Sequence, residues 1–280
     1  MPGHHERCIL KIGILSDIHV DLEHDDPRRV LDPLADEILR RQVDLMIIAG
    51  DVANDYRLTL ESLARIEHRS GVRCLFVPGN HDIWNEKHPD QDAWRIYEAL
   101  KAFPGNLANG AVTLDNDWVV IGDLGWYDYS FGSRRYSEEE FDRMQIGSRL
   151  WQDKIKAIWQ APSLEIHRYF REKLQKQLEA HRGRDIILVT HVLPVRDFTV
   201  FDLGPMWEYL NAFLGSRQYG ELALEFGVAY SISGHVHYRR EVKHEGTTFI
   251  CNCLNYLSQW QGNRNPAVEI ARAFKIIDIP

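Results

Sequence analysis

The chain has 280 residues, 44% of them hydrophobic, and 33 Lys and Arg against 41 Asp and Glu give it a net charge of −8. That length supports one large core, and no composition break divides it, so a single domain over residues 1–280 carrying insertions is expected. The acidic balance argues against a broad basic surface for gripping duplex DNA or an anionic membrane, while a local cationic or metal site still admits a small phosphorylated substrate.

The first residues, Met1 to Cys8, lack the apolar stretch of a secretory signal, and no apolar run approaches the ~18 residues of a spanning helix. A cytoplasmic protein without membrane association is expected. The four cysteines, Cys8, Cys74, Cys251 and Cys253, lie in or beside strand-like text with no Cys-x-x-Cys spacing, and read as small core residues.

In chain order, Ile9 to Leu15 reads as a strand, Arg28 to Arg41 as a helix, Leu45 to Ala49 as a strand, Arg57 to Arg69 as a helix and Val72 to Val77 as a strand. A helix follows around Asp92 to Phe103. This alternation suggests β-α-β units around a sheet covered on both faces. Short strands around Val112 to Leu114 and Trp118 to Ile121 look like an antiparallel edge or second sheet. From Tyr127 to Arg182 the text turns helical and aromatic, which suggests an inserted helical cap over about 127–182. The strand Ile186 to Val189 is followed by a second insertion over about 192–220, and then strands Val228 to Ile232, Arg240 to Lys243, Thr247 to Cys251 and Phe274 to Ile279. No internal repeat or low-complexity segment is seen.

Each strong strand ends in residues able to bind a metal: Asp17 and His19, Asp51, Asn80 with His81 and Asp82, His191, and His235 with His237. Loops beyond the carboxyl ends of parallel strands converge on one crevice. Imidazole nitrogens and carboxylate oxygens suit zinc, iron and manganese, and the lack of thiolates in these segments disfavours a soft site. Asp17 and His19 are two apart, as are His235 and His237, so in extended backbone each pair faces one side. Asp51 can give one oxygen to each of two metals. Asn80 can offer a neutral carbonyl oxygen. Taken singly, each is explained as well by a cap, a turn or a core histidine. Taken jointly they are not.

The ordered series Asp17-x-His19, Gly50-Asp51, Gly79-Asn80-His81-Asp82, His191 and Gly234-His235-x-His237 resembles the calcineurin-like metallophosphoesterases over roughly residues 9 to 240. The resemblance implies an α/β fold, a four-layer α/β/β/α sandwich, with two divalent or trivalent metal ions (manganese, iron or zinc) at the sheet edge. Asp17, His19, Asp51 and His237 would hold one ion and Asp51, Asn80, His191 and His235 the other. The activity implied is hydrolysis of a phosphate ester by water activated between the metals, on a small phosphodiester or phosphomonoester, a cyclic nucleotide included. His81 would face the phosphate and protonate the leaving alkoxide or stabilise its charge, and Asp82 would orient the His81 ring or, equally well, serve the structure.

A nuclease acting on DNA or RNA and a catalytically silent metal-binding scaffold are the rival readings. Substrate choice is expected to reside in the two insertions. Trp126, Tyr127 and Tyr129 could overhang the site, and Arg239 and Arg240 could reach a phosphate oxygen. Ordinary packing and a solvated strand surface explain them as well. The remaining histidines read as terminal, loop or helix residues. No phosphate-binding P-loop, Gly-x-Ser-x-Gly elbow, His-Glu-x-x-His helix or dinucleotide turn occurs.

Overall fold

Strict alternation in the buried runs decides how the chain layers itself, because successive side chains of a strand point to opposite faces of its sheet. The computed structural model describes residues 9–23, 25–114, 117–201, 204–261 and 264–280. His4, His5, Cys8 and His24 lie outside the described residues, as do residues 202 and 203 of the expected second insertion. The strands in chain order are β1 (Leu10–Leu15), β2 (Leu45–Ile48), β3 (Arg73–Phe76), β4 (Val112–Thr113), β5 (Val119–Asp123), β6 (Gln145–Ile146), β7 (Arg149–Leu150), β8 (Ile186–Thr190), β9 (Tyr230–Ser233), β10 (Arg239–His244), β11 (Thr247–Asn252) and β12 (Lys275–Ile279). The helices are α1 (Arg28–Arg41), α2 (Tyr56–Ser70), α3 (Ala93–Leu100), α4 (Glu138–Asp142), α5 (Asp153–Lys156), α6 (Ser163–Ala180), α7 (Pro205–Leu210), α8 (Arg217–Glu225) and α9 (Pro266–Ala273).

Two sheets result. The first runs β12-β1-β2-β3, with β1, β2 and β3 parallel and β12 antiparallel at the edge. The second runs β10-β11-β9-β8-β5-β4, with four parallel strands in the middle and an antiparallel strand at each side. Between them lies a dry layer of Ile12, Ile14, Leu45, Ile47 and Leu75 from one sheet and Val120, Ile187, Val189, Ile232 and Ile250 from the other. Each such side chain contributes about 1.5–3 kcal/mol of transfer free energy.

The alternate residues face outward. Met46, Ile48, Cys74 and Phe76 meet the apolar faces of α1, α2, α3 and α9, and Val119, Ile121, Ile186 and Leu188 meet those of α6 and α8. The layers are therefore helix, sheet, sheet, helix. The stretch 127–182 holds α4, the β6–β7 hairpin, α5 and α6, and α6 packs against β5 between the parallel strands β5 and β8. The stretch 192–220 holds α7 and the first turn of α8.

The two sheets are stitched at one end. Ser16 N–H donates to the Asn252 carbonyl at 3.0 Å, and Leu254 N–H to the Ser16 carbonyl at 2.9 Å. The end of β1 is thereby joined to the end of β11, and the loops after β1, β2, β3, β8 and β9 share one rim.

Candidate metal centre

Tight backbone brings the five strand ends together. Asp17 N–H donates to the Gly50 carbonyl at 3.0 Å, and Ile18 and His19 N–H to the Asp51 carbonyl at 2.8 and 3.1 Å. Gly234 N–H donates to the His191 carbonyl at 2.9 Å, and His235 N–H to the Asp17 carboxylate at 3.0 Å. Gly50, at φ +86°, and Gly79 lie so close that a Cβ on Gly50 would meet His191 Nδ1 at 2.5 Å and one on Gly79 would overlap Asp51. Five of the expected ligands have left-handed backbone: Asp17 (φ 51°), His19 (46°), Asp51 (57°), His235 (75°) and His237 (57°). Each such residue costs about 1–3 kcal/mol, and strain of this kind collects where a fold must aim side chains.

The side chains form two adjoining groups. In the first, His19 Nε2 lies 3.2 Å from His237 Nε2 and 4.0 Å from Asp17 Oδ1, and His237 Nε2 lies 3.5 Å from Asp17 Oδ1. In the second, His191 Nε2 lies 3.0 Å from Asn80 Oδ1 and 3.2 Å from His235 Nδ1, which is itself 3.0 Å from Asn80 Oδ1. Asp51 Oδ2 stands between them, 3.9 Å from His19 Nε2 and 3.3 Å from His191 Nε2. Asp51 Oδ1 accepts the His81 N–H at 2.9 Å, and Oδ2 is the oxygen within 4.0 Å of an imidazole of each group. His81 Nε2 also faces Asp51 Oδ2, at 3.9 Å.

The outer nitrogens of His81, His191, His235 and His237 are each fixed by a partner outside the expected set. His191 Nδ1 pairs with the Ala49 carbonyl at 2.8 Å, His235 Nε2 with the Phe213 carbonyl at 3.1 Å and His237 Nδ1 with Gln259 Oε1 at 2.6 Å. His81 Nδ1 pairs with Asn54 Oδ1 at 2.6 Å, and its ring stacks on Trp84 at 3.7 Å. Asn80 Nδ2 donates to the buried carboxylate of Asp153 at 2.9 Å, which leaves the amide oxygen facing the imidazoles. Such outer contacts hold a ligand's orientation and tune its basicity.

Of the two roles expected for Asp82, orienting the His81 ring is overturned and the structural one holds. Its carboxylate is wholly buried and accepts N–H bonds from Asp51 (2.8 Å), Val52 (3.0 Å), Ala53 (3.2 Å) and Gly79 (2.7 Å), plus the Thr59 hydroxyl (2.6 Å). Asp82 therefore pins the Gly50-Asp51 and Gly79-Asn80 turns, and Asn54 orients the His81 ring. His81 and Asp82 lie in the turn that follows β3, and the two side chains leave it toward different partners.

The donor set suits a cation. Burial pushes the His19 and His81 imidazoles below their ordinary value and His235 down to about 3, so these rings are neutral with lone pairs available. Burial opposes charge on His191, but the Asp51 carboxylate and its hydrogen bond outweigh it and raise His191 to about 10. Burial likewise disfavours the Asp51 carboxylate, yet His191, His81 and His19 hold it well below the usual range. This is a place that favours positive charge, and a cation would compete there with the His191 proton. The sets Asp17-His19-His237, His19-Asp51-His81 and Asp51-His191-His235 each bring ligand atoms within 4.8 Å of one another. His19 Nδ1 is the exception to outer support, being buried with no hydrogen-bond partner.

Other candidates fall away. Trp126, Tyr127 and Tyr129 are buried and stack with one another and with Phe213 rather than overhanging the site. Aromatic rings beside the centre include Trp84, on His81, Trp151, 5.9 Å from His235, and Tyr256, with ring centroids 4.6 Å from His19 and 4.3 Å from His237. Arg239 is bound to Glu269 at 2.6 Å and to the Cys253 carbonyl, and Arg240 to the Asp197 carbonyl. Neither arginine is aimed at the centre. His88, His167, His181 and His244 pair with Asp55, the Trp126 carbonyl, the Gln177 carbonyl and Asp197. Among the missed residues only Asn54 left a signal, as a polar residue three past Asp51 in the same loop. Asp153 and Gln259 lie 73 and 22 residues from their partners.

Known proteins share this arrangement of the chain. The family model for calcineurin-like phosphoesterase matches residues 10–239. An uncharacterised protein, L509, of Acanthamoeba polyphaga mimivirus is 21% identical over 276 residues, covering 91% of this chain and 94% of that protein. Among solved structures, the Phosphopantetheinyl Hydrolase of Mycobacterium tuberculosis is similar with a TM-score of 0.75 at 18% identity, covering 90% of this chain and 91% of that one. A dimetal phosphatase from Danio rerio has a TM-score of 0.53 at 16% identity, covering 87% of each chain. With the family matched across both sheets and all five strand ends, the chain belongs to the calcineurin-like phosphoesterases and is a metal-dependent phosphoester hydrolase.

Proposed function

We propose that the chain hydrolyses a small phosphate ester at a centre of two metal ions, with Asp17, His19, Asp51 and His237 holding one and Asp51, Asn80, His191 and His235 the other. Manganese, iron and zinc all suit these donors. The observation that carries the reading is the position of Asp51 Oδ2, between His19 Nε2 at 3.9 Å and His191 Nε2 at 3.3 Å. When bound, two such ions supply Lewis acidity toward the phosphate oxygens and lower the pKa of water into the working range.

The chain's own side chains do the rest. Asp17 and Asp51 are the two carboxylates of the proposed set, so two divalent ions leave the centre with a net positive charge that draws in an anionic phosphate. Asn80, as a neutral donor, preserves that charge. His81 has Nδ1 held by Asn54 Oδ1, so in its neutral form the proton sits on Nδ1 and Nε2 faces the centre. Entry of an anionic phosphate favours a second proton on Nε2, and His81 then donates it to the leaving alkoxide. Trp84 stacks on the ring and limits its rotation.

A small substrate agrees with the net charge of −8, which weakens the grip of a polynucleotide. The three described cysteines are buried free thiols, which agrees with a cytoplasmic setting. The test is metal analysis of purified protein, followed by a panel of phosphomonoesters, diesters, cyclic nucleotides, a phosphopantetheinyl ester and polynucleotides. The phosphopantetheinyl ester is included because the Mycobacterium tuberculosis neighbour is named for that hydrolysis. Asp51→Asn should lose metal and turnover together, and retention of both ions at full rate would sink the bridging assignment. Faster turnover of a polynucleotide than of any small ester would favour a nuclease instead.

A further inference from the structure

Asp153 is a buried carboxylate outside the proposed metal-binding set. It opens α5, inside the stretch 127–182, and is 2% exposed. Its Oδ1 accepts from Asn80 Nδ2 at 2.9 Å and Trp84 Nε1 at 2.7 Å. Its Oδ2 accepts from Trp151 Nε1 at 2.8 Å and the Tyr127 hydroxyl at 3.5 Å. These partners lead straight back to the centre. Asn80 Oδ1 is 3.0 Å from both His191 Nε2 and His235 Nδ1, and Trp84 stacks on His81. Trp151 lies edge-on to His235 at 5.9 Å and stacks on Phe213, whose carbonyl holds His235 Nε2.

The two ends of an asparagine amide are alike in shape and opposite in chemistry. Turned by half a revolution, Asn80 would show His191 and His235 an NH2 group, which has no lone pair for a cation. Its oxygen would then lie against Asp153 Oδ1, acceptor on acceptor. Two indole N–H groups, one on each oxygen, already bind the same carboxylate as donors to it. Against the ionised Asp153 carboxylate, only one orientation of Asn80 pairs a donor with an acceptor.

We propose that Asp153 is a positioning residue that locks the Asn80 amide with its oxygen toward His191 and His235, and so sets the affinity of the second metal site. The stretch 127–182 is thereby part of the metal centre. The inference rests on the assignment of Asn80 to the second ion under the proposed function.

The experiment is stepwise calorimetric titration of chelator-treated, full-length protein with Mn(II), comparing the parent with Asp153→Asn, Asn80→Ala and the exchange Asn80→Asp/Asp153→Asn. In Asp153→Asn the first binding step should match the parent and the second should weaken by about 10–100-fold, the usual effect of losing an outer partner. The exchange puts an oxygen at position 80 toward the imidazoles whichever way that side chain turns, so it should bring the second step back. A merely structural role for Asp153 would weaken both steps alike and would not be rescued, and that pattern overturns the proposal. So does a parent-like second step in Asp153→Asn when Asn80→Ala has lost it. A parent-like titration of Asn80→Ala instead removes Asn80 from the metal set, and with it both the assignment and this inference. If Asp153→Asn fails to fold, the exchange decides alone: a parent-like second step supports the lock, and its loss overturns it.

Discussion

Asp82→Asn separates holding the site together from moving a proton. The aspartate's Oδ2 serves the Asp51 and Gly79 N–H groups, and its Oδ1 serves Val52, Ala53 and the Thr59 hydroxyl, all within 2.6–3.2 Å. An amide of the same shape keeps one acceptor oxygen and turns an NH2 toward the other set, so at least two buried donors lose their partner. At about 1–3 kcal/mol per stranded group the cost is about 4 kcal/mol. For a chain of this size that lowers Tm by roughly 8 °C, at ~2 °C per kcal/mol. The assay is thermal unfolding in excess chelator, so that metal binding does not mask the loss, followed by metal titration. Metal affinity should fall as well, because the Gly50-Asp51 and Gly79-Asn80 turns loosen, while the pH profile of the residual turnover keeps its His81 limb. A variant with the parent's Tm and metal content but slow turnover would refute this reasoning and return Asp82 to a place beside His81.

Asn54→Leu removes the acceptor of His81 Nδ1 and should leave metal content unchanged while cutting kcat by about tenfold or more. Asn54→Asp puts a carboxylate there instead and should move the His81 limb of the pH–rate profile upward; an unmoved limb would show that Asn54 does not orient the acid. Gln259→Leu strips His237 Nδ1 of its partner and should weaken the first metal step by about 10–100-fold, leaving the second step intact in the same titration. Glu37, buried on α1, accepts from Arg40 at 2.6 and 2.7 Å and from Arg41 at 2.8 Å, and the Arg40 bond holds its carboxyl below the ordinary value. A carboxyl depressed in the folded state stabilises above its unfolded pKa and loses that contribution as pH falls through the folded value. Glu37→Gln should therefore cost about 1 kcal/mol at neutral pH and nothing in strong acid, seen in melts across that range; an equal cost at both ends would place the effect in packing.

The strands and helices of the first third were legible because alternation and helical periodicity are local. Expected helix Arg28 to Arg41 is α1, and Leu45 to Ala49 differs from β2 by one residue. The meeting of Asp17, His19, Asp51, Asn80, His191, His235 and His237 was legible for a related reason, since parallel strands must deliver their carboxyl-terminal loops to one rim.

What lay beyond the sequence was every contact made across the fold. Asp82 sits next to His81 in the chain, yet its carboxylate turns away to four backbone N–H groups, and the ring is held by Asn54 from another loop. Trp126 and Tyr127 after β5 could have overhung the site, whereas packing buried them and brought Trp84, Trp151 and Tyr256 to the imidazoles. The sequence by itself determined which residue types stand at which strand ends. Only the tertiary structure decided which oxygen of Asp51 faces both groups and which way the Asn80 amide turns, because those depend on hydrogen-bond partners as far as 73 residues away.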